Sequence, residues 1–377
     1  IAATAVDRAR GAFRPQAEAS MVRGMSRIKN TYEEELIRKG LGVYERDAMD
    51  YSAGVSQLLP TGAKVEAKVT LSRFFTNTNQ SDPLRPLGAY DNRSFYGFTI
   101  TQPLARDGGL DVTNARLKVA ELDAQASGFA AQDTETTVAA DASMAYHELT
   151  FAQHRVQAAR ERIRNAERLL GEATAMQRAG RLPATDVWEV ENALDRYRAG
   201  LSEALQFELE RSNRLRTMLV QQGRSAGAVR TTDPLPDVVD RPLSSEESVR
   251  TALDHRADYR MMKVSIDRES TQLDYSRNQA LPKIDLVGSY GRNGLEYSAQ
   301  QAFTHTQTRN YPAWTVGVQF SMPLGRNLQA HADIQAALIR QEEARRGLQA
   351  LEVQIANDID TTLAMRSRAL ERWRLWK

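Results

Sequence analysis

The sequence predicts a mixed α+β membrane protein, in which the strands of a transmembrane β-barrel are continued by long coiled-coil helical hairpins. Three observations predict this fold: segments with strict period-2 alternation, a proline-free helical stretch from about 110 to 179, and a strand–helix unit that occurs twice. The helical stretch would extend about 105 Å at about 1.5 Å per residue, which is more than a compact domain of this size requires.

The composition excludes several other classes of protein. The 377 residues carry a formal net charge of +2, so no strong electrostatic field attracts nucleic acid. No apolar run approaches the roughly 18–20 residues of a membrane-spanning helix, and a chain embedded in lipid would then have to form a closed barrel. The sequence contains no cysteine, which excludes disulfides and thiolate sites within it. The start at Ile1, with no leader, leads us to expect a processed or trimmed N-terminus.

Two pairs of matching motifs indicate an internal repeat. The D-x-x-R-x4-P motif at 7–15 recurs at 274–282, an offset of 267, and the P-L-x-R motif at 103–106 recurs at 323–326, an offset of 220. Each pair of landmarks encloses a β-rich stretch, and a long helix follows each. The offsets differ by 47 residues, so the first copy is predicted to carry an insertion at about 30–76.

Alternation of apolar and polar residues predicts the strands. In the last of them, even-numbered residues from Trp314 to Met322 are mostly large and apolar, whereas the odd-numbered ones are small or polar. The first β segment is 13–104, with strands at 16–29, 51–59, 63–75 and 93–103, and the second is 282–324, with strands at 283–292 and 314–322. Strands near ten residues long, joined by alternating short and long connections, suit a barrel, although a half-buried sheet of a soluble protein has the same alternation. Candidate aromatic residues at the membrane interface are Tyr96, Tyr290, Tyr311 and Trp314.

A first helical hairpin is predicted over 105–222, with its tip at 178–186. Large residues recur every seven positions from Leu149 to Leu170, and alanines recur every seven between them, which is typical of closely packed coiled-coil helices. At the tip, Gly180 suits the left-handed position after a helix, and Pro183 suits the first turn of the next helix. Thr185 or Asp186 would supply polar groups there. The stripe alone would equally fit a plain coiled coil.

The remaining segments complete the repeat. Residues 1–12 are predicted to be the end of a helix that enters the barrel, and 223–247 to be a connector rich in proline and glycine. Within it, Ser244-x-x-Glu247 has the pattern of a capping box that opens a short helix, which a further helix follows. A returning helix over 248–281 leads to the second β segment, and 325–377 is the first arm of a second hairpin, truncated about 19 residues before its tip.

No catalytic or metal-binding pattern accompanies these elements, so no enzyme and no cofactor is predicted. The five histidines are scattered, and His147 and His154 stand too far apart for a metal pair on one helical turn. Arginines are dense between 155 and 181, but glutamates offset several of them, which favours a solvated or lumen-lining helix face over nucleic-acid binding.

Three motifs, in this order and spacing, resemble the TolC-like outer-membrane efflux protein family. They are the hairpin tip G-x4-T-D-V at 180–187 with Leu194, the entry R-x4-P-x-I-D-L at 277–286, and the exit F-S-M-P-L-G at 320–325. The resemblance implies a homotrimer whose strands share one barrel in the lipid of a Gram-negative outer membrane and whose helices form an α-barrel across the periplasm. It implies a passive exit duct for efflux or type I secretion, served by an inner-membrane pump. The tips would contact a periplasmic adaptor protein, with the candidate contacts Arg178, Gly180, Leu182, Pro183, Thr185 and Asp186.

Two departures from the family pattern stand out. Family members commonly have four strands per protomer, whereas six are predicted here, so a trimer would have eighteen strands. Gly171 occupies the place where the family can carry an acidic residue linked to the gate. Two alternative functions are a periplasmic adaptor of the membrane-fusion type and a soluble coiled-coil scaffold. Two copies of the strand–helix unit argue against the adaptor, and the strands argue against the scaffold.

Overall fold

The computed structural model describes residues 2–38, 40–78, 89–219, 229–233, 241–307, 311–325 and 327–376. Their elements, in chain order, are α1 (Ala2–Gly11), β1 (Gln16–Lys29), α2 (Tyr32–Ile37), β2 (Val43–Leu58), β3 (Lys64–Thr76), β4 (Asp91–Pro103), α3 (Leu110–Thr113), α4 (Ala115–Arg178), α5 (Ala184–Met218), α6 (Ser245–His255), α7 (Ala257–Gln279), β5 (Lys283–Glu296), α8 (Ala299–Gln307), β6 (Pro312–Ser321) and α9 (Leu328–Trp376).

The six strands form one sheet in sequence order, and every neighbouring pair is antiparallel. Each of the six predicted strands is present, and the predicted insertion supplies β2 and β3. The polar loop that was predicted between the first two strands is wrong over 43–50, because β2 already begins at Val43. Charged side chains in this part of β2 interrupt the alternation of apolar and polar residues from which the strands were predicted. They are paired across β1 and β2, where Arg23 lies 3.2 Å from Asp47 and Arg27 contacts Glu45.

Two short helices in the connections between strands were not predicted. In α2, the Thr31 hydroxyl accepts a hydrogen bond from the Glu34 amide, and the Glu34 carboxylate accepts one from the Thr31 amide, which is a complete capping box. These bonds lower the pKa of Glu34, with the backbone bond from Thr31 as the first cause. Helix α8 packs on β4 and β5, where the Ser94 hydroxyl donates to the carbonyl of Ala302 over 2.8 Å. Helix α2 could have been predicted from its capping pattern.

The chain forms two compact units, 1–129 with 258–354 and 130–257 with 355–377. In the first unit, α7 and the adjoining parts of α4 and α9 are joined by charges. Glu269 is 7% exposed and contacts Arg268, and its second oxygen lies 3.6 Å from Arg340. Arg268 in turn lies 2.8 Å from Asp123. Because Glu269 has two cationic partners, its charge is compensated despite its burial.

In the second unit, α4 packs on α5 through the predicted heptad stripe. Ala145, Leu149 and Ala152 are at most 1% exposed, and Leu215 of α5 joins them. Part of the predicted connector is bound to α4 by hydrogen bonds. Residues 229–233 lie along α4, where the Tyr146 hydroxyl donates to Asp233 over 2.6 Å and the Thr231 hydroxyl donates to Gln153 over 2.8 Å. The predicted connector residues Gly223, Gly227, Pro234 and Pro236 lie outside the described residues.

The returning helix is divided into two. Helix α6 begins after Ser244, whose hydroxyl accepts a hydrogen bond from the Glu247 amide over 3.5 Å, as one half of the predicted capping box. The helix ends at His255, because Arg256 adopts an extended backbone with ψ near 128°, and α7 begins at Ala257. The short helix predicted after the capping box and the further helix predicted to lead to Pro282 correspond to α6 and α7.

Candidate functional site

The six-stranded sheet has one apolar and one polar face, and both are continuous across all six strands. On one face, a row of residues in register with one another is almost entirely apolar: Ala17, Val55, Ala67, Phe98, Tyr290 and Trp314. One residue along each strand, the row on the opposite face is entirely polar: Gln16, Ser56, Glu66, Thr99, Ser289 and Thr315. This separation follows from the period of two along a strand.

The apolar face is the more exposed of the two. In β2, Tyr51, Ala53 and Val55 are exposed while the alternate Ser52 and Ser56 are half-buried. The same holds in β4, where Phe98 and Ile100 are 48% and 41% exposed and the threonines beside them are half-buried. In a water-soluble antiparallel sheet the apolar face packs on a core and the polar face meets water. The burial in β2 and β4 is the reverse, so the apolar face of the sheet is a candidate membrane surface.

Three of the four candidate interfacial aromatics lie on this apolar face in neighbouring strands. Tyr290 of β5 is in register with Trp314 of β6, and its ring centre lies 5.9 Å from that of Phe98. Tyr96, two residues before Phe98 in β4, shares the face. Tyr311 precedes β6 and is 59% exposed, and its carbonyl accepts a hydrogen bond from the Asn293 amide over 3.0 Å. The structure therefore brings Tyr96, Tyr290 and Trp314 together and holds Tyr311 beside the end of β6.

The polar face has side-chain contacts between neighbouring strands. The hydroxyls of Ser20 and Ser52 lie 2.8 Å apart, and those of Ser289 and Thr315 are also bonded. Phe95 is an aromatic exception on this face. Its ring lies against Gly97 and Gly291, since a methyl group added to either glycine would overlap it. Glycines at these two positions thus provide the space for the ring.

At the predicted hairpin tip, α4 ends in a Schellman motif. The Arg181 amide donates to the carbonyl of Met176 and the Gly180 amide to that of Gln177, each over 2.9 Å. Gly180 has φ of +68°, a left-handed conformation that glycine adopts without strain. These bonds satisfy two of the last carbonyl groups of α4 and end the helix in a tight turn.

The start of α5 differs from the prediction. Pro183 is the cap residue, with the first helical turn beginning at Ala184, and no side chain caps the helix. The Thr185 hydroxyl donates to Asp186 over 3.2 Å instead of to the backbone. Of the candidate contact residues, only Leu182 is half-buried, and the other five are exposed: Arg178, Gly180, Pro183, Thr185 and Asp186.

An open groove of about 1370 Å³ runs along the hairpin beside the tip, and it was not predicted. Its floor includes Ala166, Ala173 and Val190, and its apolar wall includes Leu169 and Met176, which are 53% and 52% exposed. Charged residues stand around the opening: Arg162, Glu172, Asp186, Glu189, Asp195 and Arg196. The sequence does contain a signal for an apolar groove, because Leu169 and Met176 stand seven residues apart beside the main heptad stripe.

The described residues contain no group of three or more histidine, cysteine, aspartate or glutamate side chains that could hold a metal ion. His305 has an acidic neighbour, since its Nδ1 lies 3.1 Å from Glu296. Across the described ranges, none of the helices has a stretch that is both long and apolar enough to cross a membrane.

Comparison with known proteins identifies relatives of this fold. Residues 249–377 match the family model described as outer membrane efflux protein. The fold is similar to that of the outer-membrane channel OprN, with a TM-score of 0.62 and 14% identity over 99% of this chain and 71% of that one. For the outer membrane protein VceC from Vibrio cholerae, the TM-score is 0.60 and the identity 14%, over 99% of this chain and 75% of that one.

A third similar structure is that of CusC, described for conformational changes that accompany folding and transmembrane channel formation. Its TM-score is 0.57 at 14% identity, over 98% of this chain and 72% of that one. No curated protein matches the sequence. At such low identity, these solved structures show a common fold, and the family model matches the last third of the chain.

Proposed function

We propose that this chain, an outer membrane efflux protein by its residues 249–377, is one protomer of an exit duct for efflux or type I secretion. The predicted resemblance to that family is confirmed by this match. The duct is located in the outer membrane of a Gram-negative bacterium and extends into the periplasm. The observation that carries the proposal is the reversed burial in β2 and β4, where apolar residues are exposed and the polar residues beside them are half-buried.

The sheet has the properties of one segment of a larger barrel. β1 and β6 are its edge strands, and both are exposed along their full length. Six strands are fewer than the roughly eight of the smallest membrane barrels, so closure requires further copies of the chain. Because β1 and β6 are antiparallel in a sheet of six, the β6 strand of one copy would pair in antiparallel fashion with β1 of the next.

We propose a homotrimer, as the family resemblance implies, with β2 and β3 in the barrel wall. Three copies of the six-stranded sheet give eighteen strands. With strands spaced about 4.8 Å apart and tilted about 40°, the backbone diameter would be about 36 Å, against about 24 Å for twelve strands. The polar rows would line the lumen, and the apolar rows would face lipid.

The four aromatic residues Tyr96, Tyr290, Tyr311 and Trp314 are proposed to lie at the membrane interface. Their rings cluster at β4–β6 and the connection before β6. Tyrosine and tryptophan are enriched at this depth because their rings are apolar and their hydroxyl or indole N–H groups are polar. The apolar residues Val316, Val318 and Phe320, which are 63–71% exposed, would then lie deeper in the hydrocarbon.

The hairpin tip is proposed to contact the periplasmic adaptor of a tripartite complex with an inner-membrane pump. The candidate contacts remain Arg178, Gly180, Leu182, Pro183, Thr185 and Asp186. Five of them are exposed, and Leu182 also lines the apolar groove beside the tip. An apolar groove with a charged rim suits a partner helix with an apolar stripe. Leu182→Asp should abolish export, whereas Leu209→Asp, at a 60% exposed position on α5 outside the groove, should not.

The direct test of the function is membrane fractionation followed by conductance of the purified protein in planar bilayers. A duct should fractionate with outer membranes, migrate as a trimer and pass polymers that a twelve-stranded barrel excludes. An adaptor or a scaffold, the two alternatives, should be released without detergent and should form no pore. A pore that excludes such polymers would contradict the placement of β2 and β3 in the wall and leave the duct itself intact.

A further inference from the structure

At the end of the sheet where the long helices begin and end, only four of the six strands are connected to helices. Helix α1 leads into β1, β4 leads into α3 and α4, α7 leads into β5, and β6 leads into α9. At the same end of the sheet, β2 and β3 are joined only by the turn Pro60-Thr61-Gly62. At this end of the sheet, β2 and β3 are therefore not continued by a helix.

The β2–β3 turn packs against the junction that follows β4. The side-chain amide of Gln102 donates to the carbonyl of Thr61 over 3.3 Å, and the Gly109 amide donates to the same carbonyl over 3.4 Å. Gly62 has φ of +89°, and a methyl group added to it would lie 2.6 Å from the carbonyl oxygen of Asp107. The turn is thus fixed in place above the space between α1 and α4.

That space is a half-enclosed cavity of about 530 Å³. This volume falls within the range of about 300–1,000 Å³ that is typical of small-molecule sites. The cavity is lined mainly by apolar side chains from α1 and the residues after it, the end of β2, α3 and the start of α4: Ala5, Ala9, Phe13, Leu58, Val112 and Leu117. Because Leu58 and Gly62 come from the inserted strand pair, the cavity depends on the insertion.

Two arginines, Arg8 and Arg116, line the same cavity, one on each of the helices that border it. Across the described part of the chain, neither has an ion-pair partner, although Arg10 on α1 pairs with Glu121 at 3.2 Å. The acid that lines the cavity, Asp107, is already engaged. Its carboxylate accepts a hydrogen bond from Gln279 over 2.6 Å and lies 3.7 Å from Arg106. The cavity therefore combines an apolar lining with two uncompensated positive charges.

We propose that this cavity binds an anionic phospholipid, with its phosphate between Arg8 and Arg116 and an acyl chain against the apolar lining. The assignment to a membrane lipid rests on the proposed function, which places the helix end of the sheet at the periplasmic membrane surface. Leu58 is the last residue of β2, so the cavity begins where the strands end. Arginine suits phosphate because its planar fork donates two hydrogen bonds at once.

The test is native mass spectrometry of the full chain in a neutral detergent with defined lipids. A phosphatidylglycerol and a phosphatidylcholine with the same acyl chains are offered in competition, and the free fatty acid with that chain is offered separately. We expect phosphatidylglycerol to be retained about tenfold more than phosphatidylcholine, which corresponds to about 1.4 kcal/mol. Replacing both arginines (Arg8→Gln with Arg116→Gln) should abolish this preference.

A matched control replaces two exposed arginines of α4 that do not line the cavity, Arg160→Gln with Arg168→Gln, and should keep the preference. Ala9→Trp, which fills the cavity without changing charge, should lower retention of both lipids. Equal retention of the two lipids by the unaltered protein would overturn the proposal, as would a preference that survives loss of both arginines. Equal binding of the fatty acid would overturn the assignment to a phospholipid. Because binding is measured in detergent, the outcome is independent of whether the protein conducts.

Discussion

The α4–α5 hairpin and the six-stranded sheet bury opposite kinds of side chain. In the hairpin, Leu149 and Ala152 are fully buried and charged residues meet the solvent, which is the usual pattern for a helix pair in water. In the sheet, Trp314 and Val316 are each 71% exposed, while serines and threonines of β2 and β4 are half-buried. This contrast is expected if the hairpin lies in water and the sheet lies in lipid, as proposed.

The energetic reason is the cost of apolar surface in water. Each square ångström of apolar surface taken out of water contributes about 25 cal/mol, so the hairpin gains by burying its leucines and alanines. An apolar row that stays exposed across six strands would forgo a comparable stabilisation if the sheet were surrounded by water. In lipid the surrounding acyl chains remove that cost, and in the proposed barrel the polar face would meet a water-filled lumen.

The largest expected effect contrasts the two faces of β6. Val316→Arg, on the apolar face, should destabilise the protein in lipid by about 2–4 kcal/mol, because a cation near the bilayer midplane loses its hydration. Thr315→Arg, on the polar face one residue away, should cost about 1 kcal/mol or less. Urea unfolding in lipid vesicles measures both. Equal losses from the two variants would contradict the assignment of the faces.

A smaller effect sharpens the description of the polar face. An added methyl group in Gly97→Ala would lie 2.6 Å from the ring of Phe95 and 2.7 Å from the carbonyl oxygen of Tyr290. Such overpacking typically costs about 1–3 kcal/mol. Gly317→Ala is the control, since nothing lies within 4 Å of a methyl group added there. If thermal unfolding of the two alanine variants is the same, the ring of Phe95 is not packed on these glycines.

The smallest effect concerns the hairpin, where the packing obeys the rules of a soluble protein. The hydrogen bond to Asp233 raises the pKa of Tyr146, and it is the first cause of the shift. A raised pKa means that the folded state favours the neutral phenol. The hydrogen bond therefore contributes its full stabilisation of the folded state below the ordinary pKa of tyrosine. This stabilisation is lost as the pH rises through the raised pKa of Tyr146.

Tyr146→Phe should slightly lower the thermal midpoint at neutral pH and remove this alkaline loss. The measurement is thermal unfolding followed by circular dichroism from neutral to alkaline pH. The variant should match the unaltered protein most closely at the alkaline end. A constant difference between the two proteins at every pH would show that Asp233 does not hold the neutral phenol.

The sequence was most informative where one period dominates. Alternation identified strands in the membrane-facing part of the sheet, and the heptad of leucine and alanine identified the buried seam of the hairpin. Prediction failed where the period is overridden, as in 43–50, where cross-strand ion pairs such as Arg23 with Asp47 support a strand without apolar alternation. Helix α8 and the contact of Asp233 with Tyr146 were missed because tertiary contacts, and not a local pattern, determine them.

Of the candidate sites, the sequence indicated Gly180 and the tip, since a left-handed glycine after a helix leaves a clear local signal. Three of the aromatic residues chosen from the sequence, Tyr96, Tyr290 and Trp314, share the apolar face of the sheet. The reversal of burial could not be predicted, because alternation is identical for a sheet that faces lipid and for one that packs on a core. The cavity with Arg8 and Arg116 was equally hidden, since its lining comes from segments far apart in the chain.

The most direct test of the lipid-facing sheet uses the absence of cysteine from the sequence. Single cysteines placed in turn from Trp314 to Phe320 can carry a spin label in lipid vesicles without background labelling. If the apolar face meets lipid, we expect collisions with lipid-soluble oxygen to be strongest at 314, 316, 318 and 320. Collisions with a water-soluble nickel complex should be strongest at 315, 317 and 319. An accessibility profile without this alternation, or with the two sets exchanged, would contradict the placement of the apolar face in lipid.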